Sequence, residues 1–305
     1  MQRSLFEFGL FDEASQLPLS HAIGALQRVE TALIAGDPEQ MRPSSYFSAQ
    51  ADGVIDLLHQ AAFHLPRQLL RYHYRSEHPS LIAFSNQHFY KNELKTWPST
   101  SNADIAIFQH YVANGQYQDR QNINEAKALA KDLSKRLKEH DKIGVVAFSA
   151  QQLQCIHAQL STKDQALLED KINERQAFFL ALEQIQGEEC DHLLISFGFG
   201  KNENNEFNLR FGPMNQAQGS KRLNVLLTRA RKSLHFYCSV KAADFPSKRS
   251  ENVALIYQWF LFLEDPQLQT SSHDPHEILA SARDFDTFLH GYRVLKQRQH
   301  LPNRV

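Results

Sequence analysis

Phe6–Gln16 reads FEFGLFDEASQ, an apolar run that stops abruptly at two carboxylates, Asp12 and Glu13. The run predicts a strand over 5–11, which delivers both acids at its carboxyl end, where open α/β sheets hold their ligands. In a phosphate-hydrolysing site an Asp in that place holds Mg²⁺ and an adjacent Glu polarises the attacking water. Taken alone, an Asp-Glu pair after a strand is more often a solvated turn. The neighbouring segments decide between the two readings.

Working outward, strand-like runs recur at 31–35, 104–112, 143–148, 192–197 and 233–238, with amphipathic stretches between them. The clearest is 122–139, where Ala126, Leu129, Ala130, Leu133 and Leu137 repeat at helical spacing with Lys, Asp and Arg opposite. Alternating strands and helices predict an α/β fold around mainly parallel sheets. The Pro-, Ser- and Thr-rich stretch KTWPSTSN at 95–102 reads as a domain boundary, and a second boundary follows Val240. The expected division is 1–97, 98–240 and a tail over 241–305 with helical stretches near 251–263 and 277–289.

The 305 residues carry 33 Lys and Arg against 34 Asp and Glu, a net charge of -1. So even a balance excludes a protein coated in basic charge, and any nucleic-acid contact must be local. Cys155, Cys190 and Cys238 are few, scattered and odd in number, so they read as buried small hydrophobes of a reducing compartment. No stretch reaches the ~18 apolar residues of a membrane span, and no secretory leader is visible at the start. A cytoplasmic protein with no membrane partner is expected.

Four further segments carry candidate chemistry. TALIAGDPEQMRP (31–43) is a second strand running into Gly-Asp, with Gln40 able to place an amide near a terminal phosphate. LLRYHYRSEHPSLIAFSNQHFYKNEL (69–94) supplies Arg75, whose guanidinium can neutralise charge on a transferring phosphoryl group, ahead of a helix opening near Pro79. FFLALEQIQGEECDHLLISFGFG (178–200) is a short apolar stretch, a polar loop and a buried strand. KRLNVLLTRARKSLHFYCSV (221–240) predicts a helix with Leu223, Leu226 and Leu227 inward and Arg229 and Arg231 near its end. Each has a structural reading of its own: a Gly-Asp-Pro turn, core packing, or dipole complementation at a helix end.

In this order and at these spacings the five segments resemble the later motifs of superfamily 1 helicases, in the branch typified by the nonsense-mediated-decay helicase. FDEASQ looks like motif II, LIAGDPEQMRP like motif III, YHYRSEHPSLIAFSNQHFY like motif IV, LEQIQGEECDHLLIS like motif V and RLNVLLTRARKSL like motif VI. The resemblance implies two tandem RecA-like domains of the P-loop NTPase helicase fold, a partial first and a complete second, closing on ATP and stepping along a single strand of DNA or RNA. It implies that Asp12 binds Mg²⁺, Glu13 activates water and Gln40 senses the terminal phosphate. Arg75 and Arg229 look like two arginine fingers. Gly187 and Glu189 match positions lining the nucleotide, with Glu189 at the ribose, and Ser149, Gln152 and Gln186 match positions approaching the nucleic-acid backbone. Four residues depart from the pattern: Glu39 stands where a Lys is usual, Met41 and Arg42 replace Leu-Pro, His73 replaces a Gln, and Cys190 stands where a basic residue is frequent.

The phosphate-binding sequence G-x-x-x-x-G-K-[ST] is nowhere in the chain; the single Gly-Lys pair, Gly200-Lys201, has Ile195 where the first Gly belongs and Asn202 where Ser or Thr is needed. The reading that follows is a chain beginning inside its first domain, with an apolar strand edge beside Asp12. Two functions are then expected to compete. One is the C-terminal portion of an ATP-dependent helicase, inactive alone. The other is a non-catalytic nucleic-acid-binding module, or a half-enzyme lending arginine fingers to a separately encoded P-loop partner.

Overall fold

The computed structural model describes residues 5–42, 55–96, 105–247 and 249–269. In chain order the elements are β1 (Phe6–Phe11), α1 (Leu19–Leu26), β2 (Val29–Ile34), α2 (Leu57–His64), β3 (Tyr72–His73), α3 (Ser80–His88), β4 (Lys95–Thr96), β5 (Ile107–Tyr111), α4 (Ile123–Arg136), β6 (Ile143–Ala147), α5 (Ala150–Ala158), α6 (Thr162–Asn173), β7 (Ala177–Ala181), β8 (Cys190–Ser196), α7 (Gly219–Leu227), β9 (Ala230–Cys238), α8 (Glu251–Glu264) and α9 (Pro266–Gln269). The α/β alternation expected from sequence is present. Most of the KTWPSTSN segment and the helical stretch expected near 277–289 lie outside the described residues.

Five strands form one all-parallel sheet in the order β5-β9-β8-β6-β7. Side chains alternate across it, so neighbouring residues serve opposite faces. Val145 and Leu194 face a layer made by α4 and α5 with Leu129, Leu133 and Ile156. Val146, Ile195 and Phe236 face the other layer, where α3, α7 and α8 contribute Phe84, Leu226, Trp259 and Phe260. Burying each large side chain of this kind is worth ~1.5–3 kcal/mol against leaving it in water. Helix α8 is part of this core: the rings of Phe236 and Trp259 lie 5.8 Å apart, and those of Phe197 and Phe260 5.2 Å.

Local sequence explains the layer under α4. Asn122 caps it, its side chain accepting from the Glu125 N–H, and Lys135 and Arg136 in the last turn oppose the dipole. The apolar stripe Ala126, Leu129, Ala130, Leu133 and Leu137 is buried as its spacing predicts.

The amino-terminal unit is smaller. Strands β1 and β2 pair in parallel, joined by α1, over a cluster of Ala14, Ala22 and Leu57 with Phe11, Leu17 and Ile34 packed on it. Among the described residues β1 pairs on one side only, and Phe6, Phe8 and Leu10 are 60%, 58% and 61% exposed.

One local expectation changes. Helix α7 ends at Leu227, so Arg231 is not near its end; it sits in β9, which begins at Ala230, with its guanidinium 3.5 Å from Glu77. The apolar stretch at 178 is a strand, β7, at the sheet edge. The three cysteines are free and buried. No helix among the described residues is long and apolar enough to cross a membrane.

Candidate nucleotide site

The turn after β1 is pinned from both sides, Ala14 N–H donating to Ala35 O at 2.9 Å and Ala35 N–H to Phe11 O at 2.8 Å. That places Asp12 and Glu13 in the open at the strand end. Glu13 holds a left-handed backbone, φ 50°, a conformation disfavoured for any residue with a Cβ. The Asp12 carboxylate supports it by accepting from the Glu13 N–H at 2.9 Å, and Gln16 Nε2 donates to Glu13 Oε2 at 3.0 Å.

The loop after β2 is organised by Asp37. Its Oδ2 accepts from Gln40 Nε2 at 3.2 Å and from the Tyr90 hydroxyl at 2.6 Å. Tyr90 in turn accepts from Asn224 Nδ2 at 2.9 Å, and the same Asn224 amide donates to Glu39 O at 3.0 Å. Burial, and then the Asp37 charge, push the Tyr90 phenol far above its ordinary range, so it stays a donor. Gln186 Nε2 reaches Met41 O at 3.4 Å, and Lys221 Nζ donates to Pro38 O. The amino-terminal unit is thereby laced to α7 and to the loop before β8.

Arg229 lies between α7 and β9 and is 3% exposed. Its Nε donates to Val225 O at 2.7 Å, Nη1 to Glu188 O at 3.2 Å and Nη2 to Thr228 Oγ1 at 3.2 Å. Burial, reinforced by the charge of Arg75, lowers its pKa to about 10, while Glu13 and Asp37 pull the other way. It therefore remains charged at neutral pH, and Arg75 and Glu13 both lie within its electrostatic reach. Arg75, in the loop between β3 and α3, pairs with Glu189 at 3.2 Å. Beside it, the backbone of Glu77 is tied to Arg231 O at 2.8 Å. Desolvation, helped by Arg75, lowers His73 to about 4, so its imidazole is neutral; it bonds Ser76 at 2.8 Å. Gly187 has φ 86° and nothing within 4 Å of where a Cβ would stand, leaving backbone open beside Glu189.

The structure thus gathers Glu13, Arg75, Glu189 and Arg229 at the amino ends of β8 and β9, with Asp12 next to Glu13 and Gln40 and Gln186 on the connecting loops. Ser149 and Gln152 lie at the other end of the sheet, after the carboxyl end of β6. Ser149 caps α5 through its side chain. Gln152 is 1% exposed and its amide is fully used, accepting from Asn122 N–H at 2.8 Å and donating to Asn122 O at 3.1 Å and Ser196 Oγ at 3.0 Å. Glu125 completes that cluster, accepting from Ser196 Oγ at 2.6 Å and Gly198 N–H at 2.7 Å, and full burial raises its pKa to about 8.

Tyr90, Asn224, Asn122 and Glu125 hold these two arrangements together by hydrogen bonds, and sequence reading missed them. Asn122 carried a signal, as an N-cap type ahead of an apolar-periodic run; the other three had none, because their partners are 53 to 134 residues away or across the sheet.

Among the described residues no group of three or more His, Cys, Asp or Glu is arranged to hold a metal. A Mg²⁺ carried by nucleotide phosphates needs less, one or two carboxylates plus phosphate and water oxygens, and the exposed Asp12 fits that donor chemistry.

The family of AAA domains matches residues 54–241. The chain belongs to the AAA domain family. The match takes in Arg75, Ser149, Gln152, Gln186, Gly187, Glu189 and Arg229. The chain is also similar to the uncharacterized ATP-dependent helicase MG140 homolog of Mycoplasma pneumoniae, 30% identical over 86% of this chain and 26% of the relative. It is 28% identical to the uncharacterized ATP-dependent helicase MG140 of Mycoplasma genitalium, with the same shares covered. The chain spans about a quarter of the length of these curated relatives. The parallel five-stranded sheet of this AAA-family chain fits the RecA-like P-loop NTPase fold.

Proposed function

We propose that this chain is part of an ATP-dependent helicase or translocase of the nonsense-mediated-decay-like branch of superfamily 1, acting on single-stranded DNA or RNA. The observation that carries the proposal is the buried Arg229, set close enough to Arg75 and to Glu13, from segments far apart in sequence, for both charges to act on it. In this reading Asp12 holds the Mg²⁺ of the nucleotide, which supplies charge neutralisation at the phosphates. Glu13 accepts the proton of the attacking water, and Gln40 leaves Asp37 to meet the terminal phosphate. Arg75 leaves Glu189 to neutralise the transferring phosphoryl group beside Arg229, freeing the Glu189 carboxylate for the ribose. Ser149 and Gln186 approach the nucleic-acid backbone, with Gln152 shaping the Ser149 end from within.

Because no G-x-x-x-x-G-K-[ST] is present in the sequence, the chain by itself hydrolyses ATP feebly or not at all; phosphate positioning supplies most of such catalysis. The exposed apolar β1 edge favours a second form of the proposal, in which a separately encoded half carrying the P-loop covers β1 and receives Arg75 and Arg229 in trans. The test is nucleic-acid-stimulated ATP turnover, measured for the chain alone and mixed with such a half. Turnover only in the mixture, reduced ~10³-fold by Arg229→Ala and abolished by Glu13→Gln, is the expected result. Turnover by the chain alone that Glu13→Gln does not affect would rule out the catalytic assignment.

A further inference from the structure

The carboxyl ends of β5 and β9 open onto a crevice that the site above does not use. Tyr111, the last residue of β5, is 43% exposed and borders two hollows. One, of about 550 Å³, is lined by Lys131, Lys135, His110 and Tyr237. The other, of about 430 Å³, is lined by polar groups that include Asn114, Gln116 and Asn202. The ammonium of Lys241 stands 4.7 Å from the centroid of the Tyr111 ring.

The charge around this crevice is local and one-sided. Lys127, Lys131, Lys135 and Lys138 are all exposed along α4 and its end. Successive members at i and i+4 are ~6 Å apart along the axis. None of the four has an ion-pair partner among the described residues. The acidic groups nearby are mostly spent: Asp132 is held by Arg136 at 2.9 Å and by the Tyr237 hydroxyl at 2.8 Å, and Asp244 by Lys201 at 2.7 Å. Glu203, in the polar hollow, and the exposed Glu139, next to Lys138 at the end of α4, are the exceptions. In a chain of net charge -1 this is a concentrated positive field.

An exposed aromatic ring flanked by regularly spaced cations and side-chain amides is the combination that holds a single-stranded nucleic acid, phosphates on the lysines and a base on the ring. We propose that this crevice is a second nucleic-acid contact, with a base stacked on Tyr111 and the backbone running over Lys131, Lys135 and Lys241. It rests on the nucleic-acid part of the proposed function and extends it, because the crevice lies on the same end of the sheet as Ser149 but out on the β5 edge.

Fluorescence anisotropy of a labelled 20-nucleotide oligo-dT, titrated with the full chain at several salt concentrations, tests this. Lys131→Ala/Lys135→Ala is expected to weaken binding about tenfold at low salt and to reduce the slope of log K against log[salt] by about 1.4, at ~0.7 per phosphate contact. Tyr111→Ala is expected to weaken binding about tenfold while Tyr111→Phe, which keeps the ring, does not. Lys163→Ala, an exposed lysine on α6, serves as the control and leaves the slope unchanged. Wild-type affinity and slope in the double variant and in Tyr111→Ala overturn the crevice and leave the nucleic-acid reading standing. No binding by the parent chain overturns both.

Discussion

The β1–β2 unit and the five-stranded sheet are built from similar apolar strands and meet opposite fates. In the sheet, Val145, Val146, Leu194, Ile195 and Phe236 are all 0% exposed, sealed by helices on both faces. In β1, Phe6, Phe8 and Leu10 stand about 60% exposed. Strand character came from the residues in both places, but burial came from the number of layers available to cover them. The larger unit has α3, α4, α5, α7 and α8 to supply two layers; the smaller is held by one small cluster and by its polar lacing to α7 through Asp37, Tyr90 and Asn224.

The contrast can be broken at several points. The largest expected effect is at Phe236, where truncation to Ala should cost ~3–5 kcal/mol in denaturant unfolding. A loss under ~1 kcal/mol would mean that the sheet core is far looser than its burial indicates. Next is Glu125, whose carboxyl is protonated to higher pH in the folded state than in the unfolded chain. The sign follows: the folded state holds the extra proton between the unfolded value near 4.5 and the folded value near 8, so stability is full below that window and falls as pH rises through it. The steepest slope is ~1.4 kcal/mol per pH unit, and Glu125→Gln should remove it from a pH series of unfolding curves. Persistence of the slope in that variant would point to another group.

A smaller effect sharpens the link between the units. Tyr90→Phe removes the hydroxyl shared by Asp37 and Asn224 and should cost ~1–3 kcal/mol. It should also speed hydrogen exchange in 29–41 more than in 190–196; equal changes in both would argue against a specific lacing role. The smallest effect belongs to the exposed strand. Phe8→Thr keeps a strand-forming residue and should shift stability by no more than ~0.5 kcal/mol while reducing aggregation seen by light scattering. A cost like that of Phe236→Ala would show that β1 is covered in solution.

Most regular elements were legible in the residues because their periodicities are local. The stripe from Ala126 to Leu137 and the strand runs at 143–148 and 192–197 needed no tertiary information. The run AFFLA of β7 was too short for periodicity to separate strand from helix. Arg231 was misplaced because dense Arg and Lys after an apolar helix resemble dipole complementation, whereas here the helix stops at Leu227 and the next strand begins three residues later. For the site, the carboxylates at a strand end, Gln40 and the two arginines were visible as types in order. Tyr90, Asn224 and Glu125 were not, since a hydrogen bond between residues 134 apart leaves no trace in spacing.

The sequence by itself determined the strands at 143–148 and 192–197 and the helix over 122–139, that Asp12 and Glu13 follow a strand, and that no phosphate-cradling G-x-x-x-x-G-K-[ST] lies within these 305 residues. Those are properties of neighbours along the chain. Only the tertiary structure decided that Arg229 is buried within reach of Glu13 and Arg75, that Gln152 spends its amide inside the fold, and that the lysines of α4 share a crevice with Tyr111 at the edge of β5. Such properties depend on how layers stack, because burial and electric fields act through space.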